Sequence, residues 1–401
     1  MYRYHFVAAV VIAFFSILNH DGQAADWPSW RGPNLDGIST ETGLIDGWGN
    51  EGPKVLWKAE IGIGFSSFAT ADGKVLAIGN KNNQDTVYCF QAADGTEVWK
   101  YTYDAPLNPK YYEGGPGSTP SIDDGQVYVI SKVGHVTCLN FSDGAVIWQK
   151  HLINDFGAKM PTWGFAGSPL ILGDELLIDA GVILSLDKTT GAVNWKTQDY
   201  GSAYSTVVPC EMDGREMLVC FPKSGLVLLD RAGKELAKLP WDTKHGVNDT
   251  TPLVRGNGIY IITGYKKGEG LAQFKDGALT LKWSRATPHG TAQMSNSVYY
   301  EGHIYGFNGD QLRCLDSKTM KPAWSNGSFG MGTMLLADGK QIILSDKGEL
   351  ALAKLQSDSY QELARHKMLD DKCWTVPVLS DGRLFIRSTQ GHMLCVDLRK
   401  Q

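Results

Sequence analysis

Several signatures of known chemistry are missing from this sequence. It has no HExxH or paired-cysteine metal spacing, no Gly-x-Ser-x-Gly, and no phosphate-loop or dinucleotide fingerprint. Charge is modest, with 20% charged residues and a formal net charge of −5 over 401 residues. No basic block is available for nucleic acid or an anionic membrane. After the first residues no segment keeps a sustained helical period, which points to an all-β chain.

What is present begins with a leader. Arg3 and His5 precede the apolar run Phe6 to Leu18, broken by Ser16, and small residues close the stretch at Gly22-Gln23-Ala24. That order of charge, apolar core and small residues describes a cleaved secretory signal over residues 1–24. The run falls short of the roughly 20 apolar residues of a spanning helix, so no membrane span is expected in the mature chain. No cysteine precedes Cys89, so a lipid-anchored start is not expected. Periplasmic or extracellular location follows. Forty-six glycines and 12 tryptophans announce many tight turns and a large aromatic content to bury.

One phrase recurs along the rest of the chain: an apolar pair, often Asp, a turn, then Trp. It reads Cys89-Phe90 to Asp94-Gly95 and Trp99, then Cys138-Leu139 to Asp143-Gly144 and Trp148. Leu186-Asp187 leads to Gly191 and Trp195, and Cys314-Leu315-Asp316 leads to Trp324. Trp283 ends a looser copy, Ala237 replaces Trp in another, and the copy from Leu350 to Ala364 has lost it. The equivalent positions 57, 99, 148, 195, 237, 283, 324 and about 365 lie 41 to 49 residues apart. Four short strands with their turns need that length, the unit of a propeller blade. Turns such as Asp123-Asp124-Gly125 and Ala337-Asp338-Gly339 suit inner hairpins.

The ends complement each other. The last unit runs from Val376 to Leu398 and stops before any Trp strand, while Pro53 to Lys58 is a Trp strand with no blade before it. Joining the two completes an eighth blade and removes the open sheet edges at the seam. The expectation is an eight-bladed β-propeller of four-stranded antiparallel blades over residues 53–401, with residues 25–52 packing on it. A WD-type propeller would need Gly-His and Trp-Asp pairs, and a β-helix would repeat at a shorter interval.

The stretch Leu186 to Trp195 closely resembles the tryptophan docking motif of PQQ-like repeats, found in quinoprotein alcohol dehydrogenases and in the assembly factor BamB. The opening Trp27 to Asn34 also resembles the start of secreted bacterial PQQ-like propellers. The resemblance spans nearly all of the mature chain and implies that Trp57, Trp99, Trp148, Trp195, Trp283 and Trp324 pack between neighbouring blades. A large flat ring at a repeated position suits burial between stacked sheets. Cys89, Cys138 and Cys314 each stand ten residues before their Trp, and Cys395 occupies the matching strand of the last unit. These read as small core residues. A bridge between Cys210 and Cys220 is not expected, because a two-residue hairpin would put Met217 opposite Cys210.

A site would lie where the segments leading into the innermost strands converge. These include Phe65-Ser66-Ser67, Trp163-Gly164-Phe165, Met294-Ser295-Asn296, Gly330-Met331-Gly332 and Cys373-Trp374-Thr375. Aromatics mixed with a few polar groups suit a small planar ligand or a peptide. The quinoprotein side of the resemblance implies PQQ and calcium, with Glu113, Asn248 and Asp249 as candidate metal ligands, Asp249 as candidate base, and Trp163, Tyr204 and Trp374 as candidate cofactor contacts. The sequence departs from those enzymes in lacking an adjacent cysteine pair, a Cys-x-x-Cys-His haem site and long blade insertions. A polymer-handling hydrolase would need two placed carboxylates, for which Glu113 and Asp249 are the candidates. The reading adopted is a monomeric, non-catalytic scaffold binding an envelope protein or peptide, with a quinoprotein alcohol or sugar dehydrogenase as the alternative.

Overall fold

The computed structural model describes residues 26–107, 109–110, 112–286 and 296–400. Among them, the chain forms eight antiparallel sheets arranged as an all-β propeller. Blade 1 consists of Ala69–Ala71, Lys74–Lys81, Gln84–Gln91 and Glu97–Asp104, laid side by side in chain order from the axis outwards. The same order repeats in the next six blades, the last ending at Glu362–Lys367. The leader, residues 1–24, lies outside the described residues.

Burial explains the local sequence. The middle strands of a blade are covered on both faces by neighbouring blades, so Lys74–Lys81 and Gln84–Gln91 are buried except at their ends. Strands covered on both faces read as near-continuous apolar runs. The outermost strand Glu97–Asp104 instead alternates, with Trp99 facing inward. Inner hairpins close with positive φ at both central positions, as at Asp124 and Gly125 or Asp338 and Gly339. Turns of that kind match the right-handed twist of the strands.

The ring closes as the two chain ends predict. Val55–Glu60 is the outer strand of the sheet formed by Val378–Ser380, Arg383–Arg387 and His392–Asp397, with Trp57 directly opposite Cys395. The other blades share this register: Trp99 faces Cys89, Trp148 faces Cys138, Trp195 faces Ser185 and Trp324 faces Cys314. Ala237 and Ala364 hold the two Trp-less positions, opposite Leu228 and Leu352. All seven cysteines are free thiols, and Cys210 pairs with Met217 across its hairpin.

Trp57, Trp99 and Trp148 each lock onto the following blade. Trp57 Nε1 donates to Ala92 O at 3.0 Å, Trp99 Nε1 to Phe141 O at 2.9 Å and Trp148 Nε1 to Lys188 O at 3.0 Å. The rings lie over the turn glycine of that blade. A Cβ on Gly95 would come within 2.7 Å of Trp57, and Gly95 also has a φ of 77°. Glycine is therefore required twice over, for its conformation and for the indole above it. Trp195 covers Gly233 in the same way, but its buried Nε1 has no hydrogen-bond partner among the described residues. In blade 6, Met320 at φ 56° takes the glycine place and is buried in one cluster with Trp283.

Residues 27–39 run into the ring, whereas Gly47 and Gly52 lie against the outermost strand of blade 7. Trp27 and Thr70 exchange backbone hydrogen bonds in blade 1, and Pro28 O accepts from Ile122 N in blade 2. Trp30 Nε1 donates to Thr251 Oγ1 at 3.0 Å ahead of blade 5. Arg31 donates to Ser297 O at 2.9 Å ahead of blade 6, and Ile38–Ser39 pairs in parallel with Thr333–Ala337 of blade 7. A segment that touches the innermost strands, or the residues leading into them, of five blades must lie along the axis. Arg31 also donates to Leu35 O and Asp36 O, and burial pulls its guanidinium down to about 10. Farther along, Glu41 accepts from the backbone of Asp381 and Gly382 in blade 8.

Candidate functional site

The segments leading into the innermost strands meet at one end of the ring around a cavity of about 310 Å³. Phe65, Tyr112, Trp163, Tyr204, Asp249 and Trp374 reach it from blades 1, 2, 3, 4, 5 and 8. Asn296 lines it ahead of blade 6, whereas Gly330-Met331-Gly332 of blade 7 does not. Met294 and Ser295, part of the same expected convergence, lie outside the described residues. Trp30 of the axial segment closes the cavity from within the ring.

The aromatic side chains touch in sequence around the wall. Trp374 and Phe65 have ring centroids 6.2 Å apart, Phe65 meets Tyr112 edge-on at 5.1 Å, and Tyr112 stacks on Trp163 at 6.4 Å. Trp163 then meets Tyr204 at 5.9 Å and stacks on Tyr265 at 6.5 Å. Trp163 is held in place by its Nε1, which donates to Lys110 O at 3.1 Å. Such offset and edge-on pairs are the favoured aromatic geometries.

The polar groups between these rings already serve the fold. Ser168 Oγ accepts from Thr119 N, Thr206 Oγ1 from Ser168 N, and Asn296 Oδ1 from Thr251 N. Thr250 Oγ1 donates to Ile262 O, and Thr251 Oγ1 accepts from Trp30. Asp249 is the exception. The residue is half-buried, yet both carboxyl oxygens are sealed from solvent and have no hydrogen-bond partner of good geometry among the described residues. Burial pushes the carboxyl up to about 8, against a smaller downward pull from the Asp249 and Thr250 backbone N–H groups. A neutral form is the physical response of a carboxyl desolvated without a cation.

Trp163, Tyr204, Trp374 and Asp249 are thus brought together, and Glu113 and Asn248 are not among the lining residues. Asn248 is buried, with Nδ2 donating to Pro222 O at 2.7 Å and Oδ1 accepting from Thr243 Oγ1 at 3.1 Å. Glu113 pairs with Lys372 at 2.8 Å and accepts from Thr389 Oγ1 at 3.4 Å. Among the described residues, no three His, Cys, Asp or Glu side chains cluster in a way that could hold a metal. PQQ is a polyanion, and among the described residues the cavity wall carries no Lys or Arg to receive it. Its one carboxyl, Asp249, would oppose such a ligand. The residues present therefore do not fit PQQ with a calcium ion held by Glu113, Asn248 and Asp249.

Trp30 and Tyr265 were not among the sequence expectations. Trp30 belongs to the phrase Trp27 to Asn34, whose resemblance marked it as a recurrent element without a place in the ring. Tyr265 sits in a hairpin turn at φ 55°, and nothing local to it indicates a cavity.

The family profile described as "Outer membrane protein assembly factor BamB" matches residues 43–115 and 84–326. The BamB of Shigella dysenteriae is 22% identical over 364 residues, covering 86% of this chain and 88% of that protein. The crystal structure of BamB from Moraxella catarrhalis superposes with a TM-score of 0.61 at 16% identity, over 87% of this chain and 98% of that one. The quinohemoprotein alcohol dehydrogenase of Comamonas testosteroni superposes with a TM-score of 0.63 at 12% identity, over 94% of this chain and 81% of that one. At these identities the superpositions establish the fold alone. With the profile matched over more than half its length, the chain belongs to the family of the outer membrane protein assembly factor BamB.

Proposed function

We propose that this protein is a non-catalytic binding scaffold of the cell envelope that serves outer membrane protein assembly and engages its partner at the aromatic end of the ring. The carrying observation is the state of the cavity's polar groups. Its Ser and Thr hydroxyls and the Asn296 carbonyl oxygen hold the fold together, and among the described lining residues no basic side chain stands beside the Asp249 carboxyl. Acid–base or nucleophilic chemistry needs paired groups within hydrogen-bond reach. Stacked aromatic faces on a rigid closed ring are instead the anchors of recognition sites. The leader-like residues 1–24 support export to the periplasm or beyond. Among the described residues no helix is long and apolar enough to cross a membrane.

Deleting the gene in its host should lower the amount of assembled outer membrane β-barrel proteins, and the wild-type gene should restore it. Unchanged levels, together with stoichiometric uptake of PQQ and Ca²⁺ by the purified protein, would overturn this reading in favour of a quinoprotein.

A further inference from the structure

We infer that the axial cup binds an alkylated organic cation, a quaternary or fully methylated ammonium, against the faces of Tyr112, Trp163, Tyr204 and Trp30 with Asp249 as counter-charge. The inference rests on the cup being a binding site rather than a reaction centre, and it adds the chemical class of what is bound.

Three observations converge on that class. The first is the wall itself. Ring faces carry negative potential and attract cations placed within about 6 Å of their centroids, and methylated ammonium ions are recognised in aromatic cages for this reason. Here the rings of Tyr112, Trp163, Tyr204 and Tyr265 touch one another around one side of a 310 Å³ space, and Trp30 approaches it from the axis. That volume stands at the small end of ligand pockets, about 300 Å³ and upwards.

The second is the sign of the charge. Among the described lining residues the ionisable groups are the tyrosines and Asp249, and Lys and Arg do not occur. At the rim, Lys372 lies over the Trp374 ring and is paired with Glu113. A carboxyl sealed under an aromatic wall is a costly arrangement without a positive ligand, since the nearby backbone N–H groups offset only part of its lost hydration.

The third separates cations from one another and from sugars. The Asp249 oxygens are sealed, so a primary ammonium or a guanidinium could not donate to them from the cavity. A quaternary ammonium has no N–H to satisfy and acts through charge and apolar contact alone. A sugar would stack on the same rings but, being neutral, would leave the Asp249 carboxyl without a counter-charge.

The test is calorimetry on the full mature protein at pH 7 and pH 9. Its ligands are choline, tetramethylammonium, a short peptide bearing trimethyllysine, and 3,3-dimethylbutanol, the neutral isostere of choline. The cations should saturate the protein and the neutral isostere should bind at least about tenfold more weakly, a difference set by charge alone. Tighter binding of the peptide would assign the cation to a polypeptide, and tighter binding of choline to a free solute. Affinity should rise from pH 7 to pH 9, because the ligand favours ionised Asp249, whose carboxyl is pushed up to about 8 by burial. The groups facing the cup that could compete are Tyr112 and Tyr204, both pushed upward by burial, Tyr265, and His245 against Trp163 at the rim. His245→Gln should leave the pH profile in place. Asp249→Asn should abolish it and lower affinity at pH 9, and Trp163→Ala should weaken binding at both pH values while both variants keep the wild-type circular dichroism. Equal binding of the neutral isostere, or no saturation by any ammonium ion below about 10 mM, overturns the inference. PQQ titrated in parallel distinguishes the two failures: its uptake overturns the scaffold reading, whereas silence from every ligand overturns only the ammonium site.

Discussion

Trp57→Phe and Trp195→Phe should have opposite consequences, although the two indoles occupy the same place in the repeat. Trp57 is 8% exposed, lies 6.0 Å from both Phe90 and Phe385, and donates from Nε1 to Ala92 O at 3.0 Å. Phenylalanine keeps most of the ring contact but removes the donor, leaving the Ala92 carbonyl unpaired at a cost of about 1–2 kcal/mol. Trp195 covers Gly233 in the next blade, but its buried Nε1 has no hydrogen-bond partner among the described residues. Removing that N–H relieves a desolvated group, so Trp195→Phe should be neutral or stabilising by up to about 1 kcal/mol after the lost contact area is set against it. Urea unfolding followed by far-ultraviolet circular dichroism gives both midpoints under one condition. Equal destabilisation by the two substitutions would refute the reasoning, because it would mean that the ring area alone carries the docking and the indole N–H carries none.

The other predictions follow from the same contacts. Gly95→Ala should destabilise by about 2–4 kcal/mol, because the new methyl group meets the Trp57 ring at a φ of 77°, and thermal melting would show it. Asp249 has its carboxyl raised from 3.8 to about 8, so the folded state holds its proton more tightly than the unfolded chain. The stability it contributes is complete below pH 4 and is lost as pH rises towards 8; Asp249→Asn should flatten that slope and exceed wild type at pH 9 by at least about 1 kcal/mol in urea unfolding. Six of the seven cysteines are buried and only Cys210 is partly exposed, so a thiol reagent at pH 8 should label the native protein at no more than one of these sites, counted by mass spectrometry. Arg31→Ala removes a buried guanidinium bonded to three carbonyls and should loosen the axial segment, seen as faster hydrogen exchange at Ile38–Ser39 and a loss of about 2–4 kcal/mol.

The ring was readable in the sequence because each blade solves one problem with one set of residues. A turn glycine, a bulge and an indole reappear at a blade's spacing, and the unpaired Trp strand at Val55–Glu60 matches the unfinished sheet ending at His392–Asp397. The aromatic wall was readable for the same reason, since Phe65, Trp163, Tyr204 and Trp374 all stand just before an innermost strand. Roles that depend on distant partners were not. Asn248 and Asp249 are neighbours that resemble a ligand pair, yet Asn248 bonds to Pro222 and Trp241 while Asp249 lines the cavity. Successive side chains of an extended segment point to opposite sides. Glu113 is drawn to Lys372, 259 residues away, by a contact that only the closed ring creates. The axial path of residues 27–39 escaped for a related reason: its partners are spread over five blades, and no period links them.

Above all, the aromatic cup is read as receiving an alkylated ammonium group and not a quinone. A single competition measurement addresses it: the tryptophan fluorescence of the mature protein, with Ca²⁺ present, is followed while tetramethylammonium and then PQQ are added to the same sample at pH 9. A saturable change with the ammonium ion that PQQ does not displace is expected. Stoichiometric quenching by PQQ, with no response to the ammonium ion, would contradict it.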